Sequence, residues 1–236
     1  MQKINFEFNH HKFVASLPDL AAQSVWTEIY KEREYEAAEQ VIRDAVEPVI
    51  DVGAHIGLFD LYVRSLNTNV PIFALEPEID NFALLNKNIE DNNLKKIKCF
   101  PVALGGRSGE TRLMVSVDSH NHRLLDVPSD EVMTEKEPIT QVVKIISLRD
   151  FLDQHKIKMV SLLKMDIEGG EYDVFSACMP NDFARLGTVI LEYHNYAGFN
   201  YKELENQFRI NGFGVQIFPS KFDKKMGFIF ARNKRI

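Results

Sequence analysis

The chain has 236 residues, of which 45% are hydrophobic, and its formal net charge is −6 at pH 7. This content is enough to bury one large core, and α/β domains of this length are commonly single. The negative charge argues against a protein whose main task is to bind a phosphate backbone. Basic residues near the C-terminus are the exception, and we interpret them as a charged edge strand and terminus. They are Lys221, Lys224, Lys225, Arg232, Lys234 and Arg235.

The sequence shows no signal for export or membrane insertion. Its N-terminus, at residues 1–10, is polar, and no run of about 18 apolar residues occurs anywhere. Cys99 and Cys178 have neither metal-binding nor redox spacing, so they are expected to be buried, reduced thiols. These features predict a cytoplasmic protein without a membrane span.

In chain order, a helical cap comes first and a strand–helix alternation follows. Residues 20–46 have helical spacing with many charged side chains, and we interpret about 1–47 as an N-terminal cap. Short apolar runs then predict buried parallel strands. The strands are expected at 48–53, 70–76, 97–103, 158–165 and 187–194, and the helices between them at 57–66, 80–92, 170–177 and 201–210.

Two segments interrupt this alternation. An insertion at about 105–146 has strand-like pieces at 110–117 and 139–146, and a loop at this position suits a substrate lid. The last apolar runs, at about 213–218 and 226–232, leave no room for a helix and predict an antiparallel hairpin. The sequence thus predicts one α/β domain over 1–236, with a mostly parallel twisted sheet and helices on both faces.

The most informative segment is the glycine turn VIDVGAHIG at 49–57. Gly53 and Gly57 permit a tight turn near a ligand, at a helix N-terminus with unpaired N–H groups. His55 stands where a pyrophosphate-binding GxGxxG turn has its second glycine, and Asp51 adds a negative charge. The turn therefore favours a cationic ligand over a phosphate.

The next acidic landmark is Glu76, followed by Pro77 at the end of the second predicted strand. It lies about 20 residues beyond the glycine turn, where Rossmann-like sheets offer a carboxylate to ribose hydroxyls. A carboxylate can accept hydrogen bonds from both hydroxyls, so an adenosine-containing ligand fits.

Over residues 36–215 the chain resembles the FkbM-type methyltransferases, which use S-adenosylmethionine. The resemblance rests on VIDVGAHIG (49–57), ALEPEIDNFALLNKNIEDN (74–92), VALGGRSGE (102–110), LLKMDIEGGEYDVF (162–175) and VILEYH (189–194). His55 and Gly170 depart from the usual Asn and Ala. The resemblance implies a class I methyltransferase Rossmann-like fold and O-methylation of a hydroxyl on a sugar, glycolipid or secondary metabolite. With the arguments above, the expected cofactor-binding residues are Glu36, Asp51, Gly53, Ala54, His55, Gly57, Glu76, Pro77, Ala103 and Asp166.

Acidic residues and a histidine follow the fourth and fifth predicted strands, where ligands of open α/β sheets bind. They are Asp166, Glu168, Glu171, Glu192 and His194. Carboxylates there can stabilise a sulfonium cation. His194 is the best candidate for the base that deprotonates the acceptor, with Glu192 to orient it, and Asp166 or Glu168 is the alternative base.

Other residues near this cluster have structural interpretations. Glu171 can serve the first turn of the next helix, and Lys164 can pair with a neighbouring acid. His120 and His122 are interpreted as solvated loop residues. We predict catalysis without a metal ion, although Asp166, Glu168 and Glu192 could ligate Mg²⁺.

Three other functions stay open from the sequence. The first is an NAD-type oxidoreductase on a Rossmann-like sheet, which His55 and Asp51 disfavour. The second is a cofactor-binding protein without turnover. The third is a nucleic-acid methyltransferase, because Lys164, Asp166 and Glu192 match part of a Lys-Asp-Lys-Glu site whose second lysine is not identifiable. The identity of the acceptor and the oligomeric state do not follow from the sequence.

Overall fold

The computed structural model describes residues 1–116, 118–119, 122–124, 139–196, 198–221 and 223–235. The strands are β1 (Gln2–Phe8), β2 (His11–Leu17), β3 (Val49–Val52), β4 (Ile72–Leu75), β5 (Ile97–Phe100), β6 (Val102–Gly105), β7 (Gly109–Met114), β8 (Arg123–Leu124), β9 (Thr140–Ser147), β10 (Val160–Met165), β11 (Leu186–His194), β12 (Phe213–Pro219) and β13 (Met226–Asn233). The α-helices are α1 (Leu20–Thr27), α2 (Glu39–Asp44), α3 (Leu58–Leu66), α4 (Ile79–Asp91), α5 (Leu148–Gln154), α6 (Glu171–Ala177), α7 (Pro180–Phe183) and α8 (Tyr201–Ile210).

A seven-stranded central sheet has the order β12-β13-β11-β10-β3-β4-β5. The pairs from β11 to β5 are parallel, and β13 runs antiparallel to both of its neighbours. The short apolar runs of β3 and β4 are buried along their whole length, as expected for strands covered on both faces. The predicted parallel sheet with a C-terminal antiparallel hairpin is confirmed.

Each face of this sheet has its own hydrophobic core. On one face, side chains of α5, α6 and α8 such as Phe151, Phe175 and Phe208 pack on the sheet. On the other face, α2, α3 and the N-terminal hairpin bury residues such as Ile42 and Tyr62. The prediction of helices on both faces is therefore confirmed. None of the described helices is long and apolar enough to cross a membrane.

The N-terminal cap is helical only from Leu20 onward. Residues 2–17 form the antiparallel hairpin β1–β2, whose turn places Asn9 and His10 at φ 47° and 65°. The free edge of β2 contacts α4, where Asn88 and Asn92 exchange hydrogen bonds with the backbone of residues 16 and 14. Because the cap is expected to be helical over about 1–47, this hairpin corrects the prediction.

The insertion belongs to a second, four-stranded sheet with the order β6-β9-β7-β8. The strand expected at 97–103 is in fact two strands in different sheets, separated at Pro101. Proline has no N–H to donate and a fixed φ, so it suits the point where the chain leaves one sheet for another. The strand pieces expected at 110–117 and 139–146 are present as β7 and β9.

Candidate functional site

A cavity of about 1060 Å³ opens at the carboxyl ends of the parallel strands. The ends of β3, β4, β10 and β11 form its floor, and residues of α1, β7, β8 and the loop before β13 form its walls. Ligands of open α/β sheets bind at this edge, because adjacent loops there diverge from parallel strands. The residues below are described by their position in this cavity.

The turn after β3 lies on the cavity floor. Gly53 has φ 74°, and a Cβ atom on it would lie 1.8 Å from the backbone oxygen of Asp166, so only glycine fits. Gly53, Ala54 and His55 line the cavity, as do Pro77 and Ala103 from neighbouring strand ends. Five of the expected cofactor-binding residues are thus brought together.

Glu76 lies buried in the cavity wall at the end of β4. Its Oε2 accepts a hydrogen bond from the His55 backbone N–H, and its Oε1 accepts one from the Glu78 N–H, both at 2.8 Å. Burial raises the pKa of Glu76 to about 8, although these two N–H groups act in the opposite direction. These two hydrogen bonds fix the orientation of the Glu76 carboxylate in the cavity wall. The position of Glu76 after the glycine turn is the one from which the sequence predicts a contact with ribose.

Asp51 does not reach the cavity, which differs from the expected contact with a ligand ammonium. Its Oδ1 lies 3.1 Å from the Lys164 Nζ, and both side chains are buried. Lys164 also donates to the backbone oxygen of Gly53 at 2.9 Å. Burial alone lowers the pKa of Lys164, but the charges of Asp51 and Asp166 raise it above its usual range. The pair holds the glycine turn against β10, which is the structural role expected for Lys164.

Two further residues of the expected cofactor set lie outside the cavity lining. The Glu36 side chain is 70% exposed and lies 3.5 Å from Arg33, so the structure does not place it at the ligand ammonium where it was expected. Gly57, with φ 84°, begins α3, and a Cβ atom on it would lie 2.7 Å from Leu85 Cδ1. Gly57 therefore serves close helix packing rather than ligand contact.

The four residues expected to act in catalysis all line the cavity: Asp166, Glu168, Glu192 and His194. One ligand atom from each of Asp166, Glu192 and His194 lies within 4.8 Å of the others. Glu168 does not continue the alternation of β10, because the strand ends at Met165 and Glu168 takes φ 52°. That turn brings Glu168 towards His194.

His194 lies between two glutamates. Its Nε2 is 3.5 Å from Glu168 Oε2 and its Nδ1 is 3.4 Å from Glu171 Oε1. Burial lowers the pKa of His194, but the hydrogen bond and charge of Glu171, with the charges of Glu168 and Glu192, raise it to about 10. Without a bound ligand the imidazole therefore carries a proton at neutral pH, which is the wrong state for the expected general base.

Glu171 is fully buried and lies outside the cavity lining, at the start of α6. Its Oε1 accepts from the backbone N–H groups of Ile167 and Gly169, each at 3.3 Å. This matches the structural role expected at the first turn of a helix.

Sequence reasoning missed Glu34 and Tyr35, which line the cavity from the segment between α1 and α2. Tyr35 is 5% exposed, and its ring packs edge-on against Phe59 with a centroid distance of 4.7 Å. Burial raises the pKa of its phenol, and the nearby charges of Asp166 and Glu192 raise it further. The only signal in the sequence was an aromatic residue within a run of charged ones.

Ser119, also missed, ties the insertion to three other elements. Its N–H and Oγ contact the carboxylate of Asp19 at 3.2 and 3.1 Å, and its Oγ lies 2.9 Å from His55 Nε2. The Asn81 side chain donates to the Ser119 backbone oxygen at 2.7 Å. We call these four residues the latch. His122 also lines the cavity and accepts from the Ser116 N–H at 3.0 Å, whereas His120 lies outside the described residues.

Comparison with known proteins places the chain among methyltransferases. The family described as "Methyltransferase FkbM domain" matches residues 51–217. "Methyltransferase 1" of Beauveria bassiana (strain ARSEF 2860) is 26% identical over 190 residues, which cover 72% of this chain and 73% of the relative. "31-O-demethyl-FK506 methyltransferase FkbM" of Streptomyces tacrolimicus is 23% identical over 201 residues, 75% of this chain and 76% of the relative.

Solved structures share the fold at low sequence identity. The precorrin-6y C5,15-methyltransferase of Geobacter metallireducens GS-15 is 12% identical, with a TM-score of 0.50 over 88% of this chain and 92% of the other. A SAM-dependent methyltransferase of Agrobacterium tumefaciens is 8% identical, with a TM-score of 0.51 over 98% of this chain and 70% of the other. The predicted class I methyltransferase fold is confirmed.

Proposed function

Because the chain belongs to the FkbM methyltransferase family and uses S-adenosylmethionine as its methyl donor, we propose that it methylates a hydroxyl of a small-molecule acceptor. The observation that carries this proposal is the division of the cavity. A nucleoside-type end is formed by the glycine turn and Glu76, and an acidic end by Asp166, Glu192 and His194. Methyl transfer needs such an arrangement, since the donor and the acceptor must meet in one site.

The nucleoside-type end fits S-adenosylmethionine. Glu76 would accept hydrogen bonds from the ribose hydroxyls, since it is already oriented by the N–H groups of His55 and Glu78. The backbone of Gly53 and Ala54 would pass close to the methionine part, which glycine permits. When bound, the donor supplies a methyl group on a cationic sulfonium. The acidic end then lies where negative charge stabilises that cation.

At the acidic end the chain must hold the acceptor hydroxyl near the methyl group and keep water out. The hydroxyl loses its proton as its oxygen gains the methyl group. Asp166 and Glu168 are carboxylates at this end that could accept the proton, and they were the alternative bases from the sequence. The latch ties the insertion to the glycine turn at the nucleoside-type end, through the contacts of Ser119 with His55 and Asp19.

A hydroxyl acceptor is supported by the name of the Streptomyces relative, a 31-O-demethyl-FK506 methyltransferase. A sugar, a glycolipid or a secondary metabolite fits the cavity volume, and the net charge of −6 does not favour a polyanionic acceptor. These are the acceptor classes we propose.

Isothermal titration with S-adenosylmethionine, S-adenosylhomocysteine and NAD tests the donor site. We expect the first two to bind and NAD not to bind. Transfer of a radiolabelled methyl group to a panel of hydroxylated sugars and polyketides, with RNA as a control, tests the acceptor. NAD binding would favour the oxidoreductase, and donor binding without transfer to any acceptor would favour a non-catalytic protein.

A further inference from the structure

The acidic end of the cavity has the composition of a cation site. We propose that Asp166, Glu192 and His194 together bind a first-row divalent cation such as Mn²⁺, which holds the acceptor hydroxyl. The binding of the ion stands on these three side chains alone, and only its role in the reaction rests on the proposed function. This proposal replaces the metal-independent reaction expected from the sequence.

The strand register brings the three side chains together. Met165 of β10 pairs with Leu191 of β11, so the next residues, Asp166 and Glu192, lie side by side at the end of the sheet. Glu192 and His194 share one face of β11 because side chains alternate along a strand. With donor atoms within 4.8 Å of one another, small side-chain rotations bring all three to the ligand distances of about 2.0–2.6 Å typical of these ions.

These side chains have few competing partners within the described part of the chain. The Asp166 and Glu192 carboxylates form no side-chain hydrogen bond or ion pair with a described residue. Both ring nitrogens of His194 are shielded from solvent, and they lie 3.5 Å from Glu168 and 3.4 Å from Glu171, longer than good hydrogen bonds. A bound ion would displace the proton of the imidazole and take the place of these long contacts.

Tyr35 lies beside these three side chains. It is 5% exposed and lines the cavity, and the charges of Asp166 and Glu192 act on its phenol. An oxygen atom held on the ion could therefore accept a hydrogen bond from the Tyr35 hydroxyl.

The donor set selects the kind of ligand. Two carboxylates and an imidazole suit Mn²⁺, Fe²⁺, Co²⁺ or Zn²⁺, whereas Mg²⁺ prefers oxygen atoms alone. A protonated amine on the acceptor would use the same carboxylates but would gain nothing from the imidazole. The ion would lower the pKa of the bound acceptor hydroxyl, whose proton would pass to a carboxylate such as Glu168. The oxygen would then bond to the methyl carbon while the bond from that carbon to sulfur breaks and S-adenosylhomocysteine leaves.

Mn²⁺ titration of the chelator-treated full chain tests the site. The measurement uses calorimetry and the electron paramagnetic resonance signal of free Mn²⁺, with and without saturating S-adenosylhomocysteine. We expect one ion per chain, and at least 10-fold weaker binding in Glu192→Gln and in His194→Gln. Glu90→Gln, on the outer part of α4, is the matched control, because it removes a carboxylate outside the cavity lining, and its Mn²⁺ affinity should stay within threefold of the wild type. Unchanged circular dichroism and melting temperature show that each variant is folded.

Three outcomes overturn the proposal. They are the absence of saturable 1:1 Mn²⁺ binding, an equal loss in Glu90→Gln, and a loss in Glu192→Gln without one in His194→Gln. The last result would assign the carboxylates to an ammonium group. Failure of the chain to bind S-adenosylhomocysteine would count against the proposed function but not against the ion, because Mn²⁺ is also titrated alone.

Discussion

Single residues decide how the donor is recognised, and Glu76 is the clearest case. Glu76→Gln keeps the size of the side chain but removes the charge, so we expect S-adenosylmethionine to bind about 10- to 100-fold more weakly, the usual worth of hydrogen bonds to a charged group. Isothermal titration measures this. Glu90→Gln, on the outer part of α4, is the control and should bind as the wild type does. Equal affinities of Glu76→Gln and wild type would remove the carboxylate from the ribose role.

The pH dependence of binding follows from the same residue. Burial raises the pKa of Glu76 to about 8, so below pH 8 the protonated carboxyl must lose its proton before it can accept from both ribose hydroxyls. Wild-type affinity should therefore rise from pH 6.5 to 8 and level off above it, while Glu76→Gln should lack this rise. Titrations at four pH values suffice. A flat wild-type profile would contradict the assignment.

His194→Ala should lower turnover by about 10²-fold or more with little change in donor affinity, because the imidazole lies at the acceptor end, where loss of a hydroxyl-activating cation would cost several kcal/mol. A methyl-transfer assay under single-turnover conditions measures the change. His11→Ala, on the N-terminal hairpin, is the control and should keep full activity. An active His194→Ala protein would show that the imidazole only fills space.

For single residues, the sequence predicted the site residues whose positions follow from motif and spacing. It missed the residues that only the tertiary fold brings into the cavity. Gly53, Glu76 and Asp166 follow strand ends at predictable distances, so their places in the cavity could be foreseen. Glu36 was expected from the match with the family's helix before the first core strand, and Glu34 was missed because a helical segment without a cap signal does not show which of its faces turns inwards. A π-helical turn at 28–32 and a 3₁₀ turn at 36–38 change which side chains of this segment point towards the cavity. The local sequence does not predict either turn.

Between elements, the buried pair of Asp51 and Lys164 joins β3 to β10 directly below the cavity. Lys164→Met should lower the free energy of unfolding by roughly 3–5 kcal/mol, since it leaves a buried carboxylate without its partner. Urea unfolding followed by circular dichroism gives the value. Lys144→Met, an exposed strand lysine, should cost under about 0.5 kcal/mol. The double variant Asp51→Asn/Lys164→Met should recover part of the loss, and a small cost for Lys164→Met alone would refute this account.

The latch connects the insertion to α1, the glycine turn and α4. Ser119→Ala removes two hydrogen bonds worth about 1 kcal/mol each, so we expect S-adenosylhomocysteine to dissociate about 5- to 30-fold faster. Stopped-flow fluorescence measures the rate. Ser176→Ala, whose hydroxyl bonds only within α6, is the control. An unchanged rate would mean that the insertion does not gate release.

The secondary-structure elements were predictable where a short, continuous apolar run has the length of a buried strand, as in β3, β4, β10 and β11. The hairpin β1–β2 was missed although Ile4, Phe6 and Phe8 alternate with polar residues, because its turn has His10 where Asn-Gly is the usual signal. The strand predicted at 97–103 is divided at Pro101 because its second half, β6, pairs with β9 in the other sheet. β9 lies about 40 residues further along the chain, so the sequence near Pro101 does not indicate this pairing.

For the whole molecule, the net charge of −6 opposes a polyanionic partner. We expect no saturable binding of structured RNA at physiological ionic strength, despite the basic residues of the C-terminal strand and tail, because the surrounding negative charge cancels their field. Fluorescence anisotropy with a labelled RNA hairpin measures this, and Lys234→Glu should give the same flat curve. Salt-sensitive binding that Lys234→Glu weakens would revive a nucleic-acid acceptor.

The two asparagines that contact β2 have a consequence for self-association. Four residues along α4 advance about 6 Å, and two residues along a strand advance about 6.6 Å, so amides at 88 and 92 meet the backbone at 16 and 14 almost in step. Each amide offers the strand one N–H donor and its carbonyl oxygen as acceptor, as a peptide group does, and also donates to a backbone oxygen outside the strand. The helix α4 thereby offers the edge of β2 the hydrogen-bonding groups that a neighbouring strand would offer. The backbone groups of residues 14 and 16 are already bonded, so a second molecule cannot pair with β2 there to begin a fibre.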